Sequence, residues 1–246
     1  MGILLTIAYD GTNYNGWQIQ KNGVTVCGAL SEALTQVLGG ENFSVLGASR
    51  TDAGVHALGQ RVHLMTEGET RVPLEKLPQV INSALPRDIA VNDAIIVSDS
   101  FHPIRDAKSK TYVYKIHNHL HRNPLMWRYS AQVKTPLNLK MMQSACEYFV
   151  GEHDFAAFCS TGSSVNSTVR TIYSLSISEN DGLMEICING NGFLYNMVRI
   201  IAGTLVEVGG GKIHPNQIPE IMKAKDRTQA GKTMPPQGLT LVEVFY

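Results

Sequence analysis

The 246-residue chain has no surplus of either charge: 21 Lys and Arg balance 21 Asp and Glu. A chain-wide polycation that grips nucleic acid by bulk attraction is therefore excluded, and any polyanion must be held by a local patch. Cysteine is sparse. Cys27, Cys146, Cys159 and Cys187 stand far apart with no C-x-x-C pair, which suggests neither a zinc ribbon nor a dense disulfide framework and reads as a reduced, cytoplasmic protein. Long hydrophobic runs are missing too, because Asn196, Arg199 and Glu207 interrupt the apolar stretch from Phe193 to Val208, and the start of the chain reaches Asp10 without a basic leader. Neither a signal peptide nor a membrane span is expected. Nucleotide-cofactor signatures are absent as well. Gly209-Gly210-Gly211-Lys212 and Gly231-Lys232-Thr233 lack the spacing of a phosphate-wrapping P-loop, and the H-x-E and P-C-x-x-C pair of a zinc deaminase does not occur.

What is present is an uneven distribution. Residues 1–101 hold 6 basic and 10 acidic side chains, residues 102–134 hold 7 and 1, and residues 135–246 hold 8 and 10. The middle segment is a basic stripe. The length suits one or two domains, and the pattern suggests a division into residues 1–101 and 102–246.

The first part switches hydrophobic period repeatedly. Ile3 to Tyr9 reads as a strand, Thr25 to Leu38 as a helix, Phe43 to Leu46 and Gln60 to Met65 as strands, Leu74 to Ser83 as a helix after Pro73, and Ala94 to Val97 as a strand. That order, β-α-β-β-α-β, is a split βαβ unit. After a crossover at Phe101 to Ala107, Thr111 to His117 predicts a strand and Leu139 to Val150 a helix. Thr171 to Ile177 and Leu183 to Ile188 predict a hairpin around Asn180-Asp181-Gly182. Phe193 to Val208 predicts one long helix, and Leu239 to Tyr246 a final strand. The whole is an α+β protein with two sheet-and-helix layers. Ser160 to Thr168, polar and without period, is the expected mobile loop.

Several residue groups could carry chemistry. His117, His119 and His121 alternate at the end of a predicted strand and could hold a metal, but a polyanion-facing surface beside Lys115, Arg122 and Arg128 explains the same spacing more simply. The loop from Gly47 to Gln60 carries Arg50 two residues before Asp52. It could be a plain turn capped by Thr51 and Asp52, or it could present a nucleophilic carboxylate. Such an aspartate must be ionised, and a neighbouring arginine, Arg50 or Arg199, would hold its pKa down and fix its direction. Arg199 lies in a helix otherwise fit for burial, where a cation needs a partner unless it snorkels to the edge. In Lys110-Thr111-Tyr112-Val113-Tyr114, alternation puts both tyrosines and Lys110 on one face. That face could stack a base and hold its phosphates, or could simply pack a half-buried sheet.

Taken in order, Tyr9-Asp10-Gly11-Thr12-Asn13-Tyr14-Asn15-Gly16-Trp17-Gln18-Ile19-Gln20, Arg50-Thr51-Asp52-Ala53-Gly54-Val55-His56-Ala57, Lys110-Thr111-Tyr112-Val113-Tyr114, His153-Asp154-Phe155, Asn196-Met197-Val198-Arg199 and Pro236-Gln237-Gly238-Leu239 resemble the ordered motifs of the tRNA pseudouridine synthase A family across essentially the whole chain. The resemblance implies isomerisation of uridine to pseudouridine at nucleotides 38, 39 and 40 of the tRNA anticodon stem-loop by a homodimer without metal or nucleotide cofactor. It implies a fold of two ferredoxin-like or RRM-like α/β domains whose antiparallel sheets join, with the active-site cleft between them. By the same resemblance Asp52 matches the catalytic aspartate, Tyr112 the active-site tyrosine, Arg50 the arginine that helps displace the target base, and Arg199 the basic residue that pairs with the aspartate. The sequence departs from the family where Ile104 stands at a position often held by arginine, with Arg105 following it. Two other readings compete with this enzyme: a tRNA-binding protein without catalysis, and a hydrolase of small molecules that uses Asp52. The basic stripe favours RNA, since phosphate contacts need cations, and the Asp-Tyr-Arg set favours the enzyme.

Overall fold

A computed structural model describes residues 1–40, 42–68, 70, 72–162 and 165–246. Its internal contacts divide the chain into one unit of Met1–Lys108 with Leu241–Tyr246 and another of Ser109–Thr240.

In the first unit, β1 (Gly2–Tyr9) is buried along most of its length and pairs antiparallel with two neighbours, β3 (His56–Thr66) and β4 (Ile89–Val97). Between β1 and β3 come α1 (Val26–Leu38) and β2 (Phe43–Gly47), the latter antiparallel to β3. The helix α1 starts where the Thr25 hydroxyl accepts from the Gly28 amide, and stops at Gly39, whose φ of 74° favours glycine. Its buried stripe is Val26, Cys27, Leu30, Ala33 and Leu34. A second helix, α2 (Leu77–Ala84), follows a single 3-10 turn at Leu74–Lys76 and buries Leu77 and Ile81. The β-α-β-β-α-β order is as the periodicity predicts. The connection around Asp52 is shorter than predicted, spanning residues 48–55 rather than 47–60, because Ala57 already pairs with Tyr9 and Gln60 with Ile7.

The second unit begins with β5 (Ser109–Asn118), paired in parallel with the short β6 (Ala131–Val133). Next come α3 (Leu139–Cys146), β7 (Gly151–Asp154), β8 (Val169–Asn180) and β9 (Leu183–Gly190), and the antiparallel order is β5-β9-β8-β7. The β8–β9 hairpin turns on Asp181 and Gly182, both at positive φ (49° and 75°), as a two-residue turn between twisted strands requires. Two helices complete the unit: α4 (Met197–Gly209), buried nearly all round, and α5 (Ile218–Ala224), which the periodicity did not predict. Finally β10 (Leu239–Phe245) brings the chain back to the first unit beside β3.

Two helix expectations are corrected. The stretch Phe193 to Val208 is not one helix: α4 starts at Met197 because Asn196 adopts a left-handed conformation (φ 61°), and residues 193–196 run outside it. The stretch Leu139 to Val150 is helical only to Cys146, after which the chain tightens into a 3-10 turn before Gly151 (φ 110°). Of the expected loop at 160–168, Ser163 and Ser164 lie outside the described residues.

Candidate active site

The Asp52 loop is fixed from both ends and from below. At its start, the side chain of Gln60, with no solvent exposure, accepts from the Ser49 amide (3.1 Å) and donates to the Ser49 carbonyl (2.6 Å), closing both backbone groups of one buried residue. In the middle, Tyr9 Oη and Thr51 Oγ1 share a buried hydrogen bond of 2.7 Å, and the Thr51 carbonyl accepts from the Trp17 amide at 3.0 Å. At its end, the Asp52 carbonyl accepts from Val55 N at 3.1 Å, closing a turn whose third residue, Gly54, has a φ of 78°. The 9–17 motif lies directly beneath. Gly11 approaches the Val55 carbonyl so closely that a Cβ would collide with it, and the Trp17 ring packs against Gly47 and stacks on Tyr9 with centroids 6.2 Å apart. The result is a loop with a buried Thr51, a half-buried Asp52 and an exposed Arg50.

Beneath the loop, His56 Nδ1 lies 3.0 Å from the Gly11 amide and 3.1 Å from a carboxylate oxygen of Asp10, which also accepts from the amide and hydroxyl of Thr12. One ring nitrogen either accepts from the amide or, carrying a proton, donates to the carboxylate. The tautomer of His56 therefore selects which of the two neighbours it holds.

In the second unit β5 brings Lys110, Tyr112 and Tyr114 to one face, as alternation predicts. The two tyrosines then diverge. Tyr114 is fully buried, donates its hydroxyl to the Pro235 carbonyl at 2.7 Å, and packs so closely on Gly238 that a Cβ there would meet its ring. Burial raises its phenol pKa, against a smaller downward pull from Arg199. Tyr112 keeps 8% exposure and meets the Phe193 ring edge-to-face, with centroids 5.2 Å apart. Burial also lowers the Lys110 ammonium to about 8.

Arg199 occupies the first turn of α4 and does not snorkel. Its Nε donates to the Met234 carbonyl at 2.8 Å and its Nη1 to Asn196 Oδ1 at 2.7 Å, while Asn196 Nδ2 reaches Ser160 Oγ at 2.9 Å. The left-handed Asn196 thus both starts the helix and directs the guanidinium. The Gly231-Lys232-Thr233 segment crosses α4 with the Gly231 amide donating to Thr204 Oγ1, and Gly203 leaves room for the Lys232 carbonyl. Its glycine serves close packing.

The structure places Arg50 and Asp52 on one loop of the first unit and Tyr112 and Arg199 on β5 and α4 of the second. Sequence reasoning missed Gln60, Tyr9, His56 and Asn196 as supports. The last carried a signal, since asparagine tolerates a positive φ at a helix start. The three-imidazole face is corrected: β5 ends at Asn118, so His119 and His121 lie beyond it, although the rings follow one another with centroids 5.6 and 5.8 Å apart. Among the described residues no group of three or more His, Cys, Asp and Glu is placed to hold a metal ion, and no helix is long and apolar enough to cross a membrane.

A family model described as tRNA pseudouridine synthase matches residues 5–104 and 145–246. Asp52, Arg50 and Arg199 fall within the matched stretches and Tyr112 between them. Proteins named tRNA pseudouridine synthase A from Caldicellulosiruptor saccharolyticus and Thermoanaerobacter sp. are each 50% identical over 244 residues, covering 99% of this chain and 99% of theirs. One from Brevibacillus brevis is 46% identical over 240 residues, 98% of this chain and 97% of its own. Among solved structures, a chain of an archaeal box H/ACA sRNP complex overlays with a TM-score of 0.37 at 14% identity, over 83% of this chain and 43% of that one, a score too low to support any inference. The chain belongs to the tRNA pseudouridine synthase family.

Proposed function

We propose that this chain isomerises uridine to pseudouridine at nucleotides 38, 39 and 40 of the tRNA anticodon stem-loop, with Asp52 as the nucleophile. tRNA uridine isomerisation follows from family membership along the whole chain. The observation that carries the role of Asp52 is its loop, where Gln60 holds both backbone groups of Ser49, Tyr9 the Thr51 hydroxyl and the Trp17 amide the Thr51 carbonyl, directly ahead of a carboxylate left half-exposed. A preset carboxylate lowers the cost of bringing it to the reacting carbon.

The reaction breaks the C1′–N1 bond and forms C1′–C5; N1 gains a proton and C5 loses one, so no electrons are exchanged. Asp52 attacks C1′ or uracil C6, or assists formation of a glycal. Tyr112 stacks on the extruded base, Arg50, exposed on the same loop, helps to displace it, and Arg199 pairs with the aspartate. In this reading residues 1–101, carrying the Asp52 loop, and residues 102–246, carrying Tyr112 and Arg199, form ferredoxin-like or RRM-like domains whose antiparallel sheets join, and the cleft lies between them. The protein works as a cytoplasmic homodimer.

Transcripts tritiated at uracil C5 test the nucleotide assignment, because the C5 proton must leave. Replacing the uridines at 38, 39 and 40 by cytidine should abolish tritium release, and restoring any one should recover it. Release that persists from the triply replaced transcript would overturn the assignment.

A further inference from the structure

The region between the two matched stretches has its own character. From Ala107 to Cys146 the chain contains no Asp or Glu, while Lys108, Lys110, Lys115, Arg122, Arg128, Lys134 and Lys140 all fall within it. Lys115 is committed to Glu185 at 2.8 Å. The turn after β5 exposes large apolar groups among the cations: Leu125 is 88% exposed, Leu120 63% and Trp127 56%. One such residue would be ordinary, but three within eight positions form a patch.

The turn that carries them is braced. Leu125 N donates to Asn123 Oδ1, Met126 N to the Asn123 carbonyl and Tyr129 N to the Met126 carbonyl, while Ser130 Oγ donates to that same Met126 carbonyl and Gln132 Nε2 to the His119 and Leu120 carbonyls. An indole held in solvent on a hydrogen-bonded turn loses little entropy when a ring stacks on it. The Arg128 guanidinium lies over that indole, 5.4 Å from its centroid, as a cation backing one face.

We propose that the turn 119–129 is a second RNA contact. Trp127 stacks on an unpaired nucleotide of the bound tRNA other than the reacting uridine, and Arg122 and Arg128 hold the flanking phosphates. This inference rests on tRNA being the substrate. An aromatic ring among cations, with no acid for forty residues, is the composition that single-stranded RNA selects. A second copy of the chain is the competing occupant; a two-fold contact centred on this turn would press its cations against one another. The turn lies beyond the far end of β5 from Tyr112; Tyr112 to His117 alone spans roughly 17 Å of strand at about 3.3 Å per residue. The stacked nucleotide is therefore not the one being isomerised.

The two tryptophans make the test direct, since Trp17 is 2% exposed and Trp127 56%. Adding unmodified tRNA transcript to the full chain should quench its emission and shield it from iodide, and Trp127→Phe should show neither effect. Trp127→Ala should bind the transcript about 5-fold to 160-fold more weakly, the range that one aromatic–base stack contributes. Arg122→Ala should reduce the slope of log affinity against log salt by about 0.7 to 0.9. Both positions are exposed, and an unchanged circular dichroism spectrum controls for folding. Tritium release with Trp127 emission and iodide access unchanged by tRNA would overturn the contact and leave the enzyme standing. Emission that changes with protein concentration alone, in step with sedimentation, would assign the patch to a second copy and also overturn it. Quenching by tRNA without tritium release from any transcript would uphold the contact while defeating the catalytic reading.

Discussion

Replacing Gln60 by leucine tests whether the Asp52 loop is held by the contacts described. The substitution keeps a buried side chain of similar reach but removes one acceptor and one donor, leaving the amide and carbonyl of buried Ser49 without the partners they have at 3.1 and 2.6 Å. An unsatisfied buried polar group costs about 1–3 kcal/mol, so the pair costs about 2–6 kcal/mol, partly offset by the added apolar burial. A net loss of about 2 kcal/mol, which lies within that range after the offset, should lower the melting temperature by about 4–8 °C. In urea the midpoint should fall with an unchanged slope. Gln60→Glu separates the two bonds: an ionised Glu can accept from Ser49 N–H but cannot donate to its carbonyl, whereas the protonated acid can do both. Burial raises the pKa of such a carboxyl, so the stability gap to wild type should narrow as pH falls from 8 towards 5. Well below its melting temperature, Gln60→Leu should also release tritium at least about tenfold more slowly, because a displaced carboxylate loses its approach to the reacting carbon. A leucine variant that melts within about a degree of wild type and releases tritium at the wild-type rate would refute the claim that Gln60 sets this loop.

Two further outcomes follow from the second unit. Tyr114→Phe removes the hydroxyl bound to the Pro235 carbonyl and should cost about 1 kcal/mol in urea melts while changing the tritium-release rate less than about threefold, because that ring is core and not stacking surface. Asp154 is held below the usual carboxylate range by hydrogen bonds from Lys225 and Thr168. A carboxyl depressed in the folded state adds stability that is present above its unfolded value, near 4, and lost as pH falls through the folded value. The melting temperatures of wild type and Asp154→Asn should therefore differ at pH 6 and converge towards pH 2; a gap independent of pH would contradict the pairing.

What could be read from the residues alone follows from the range of the forces involved. Local pattern revealed β1, α1, β2 and the β8–β9 hairpin, since β1 is a short apolar run, the others alternate or repeat within themselves, and the hairpin carries its Asp-Gly turn. The Arg50-Thr51-Asp52 segment was legible as a loop between strands, but its supports were not: Tyr9 and Thr51 are 42 residues apart, and nothing short of the fold pairs them. The long apolar period from Phe193 onward concealed the true start of α4, because Leu194 is buried whether or not it is helical and only the backbone of Asn196 marks the break. Tyr112 and Tyr114 looked equivalent by alternation. Both are buried, but contacts from Gly238 and Pro235, more than a hundred residues away in sequence, close Tyr114 off completely while Tyr112 keeps a small exposed edge.

The central claim, that Asp52 is the nucleophile for uridine isomerisation in tRNA, is tested most directly by single-turnover tritium release from C5-tritiated tRNA with wild type and Asp52→Asn at matched, saturating protein. The account predicts release approaching one tritium per modified uridine for wild type, and none above background for Asp52→Asn even though that variant binds the same tRNA. Release by Asp52→Asn at a rate comparable to wild type would contradict it.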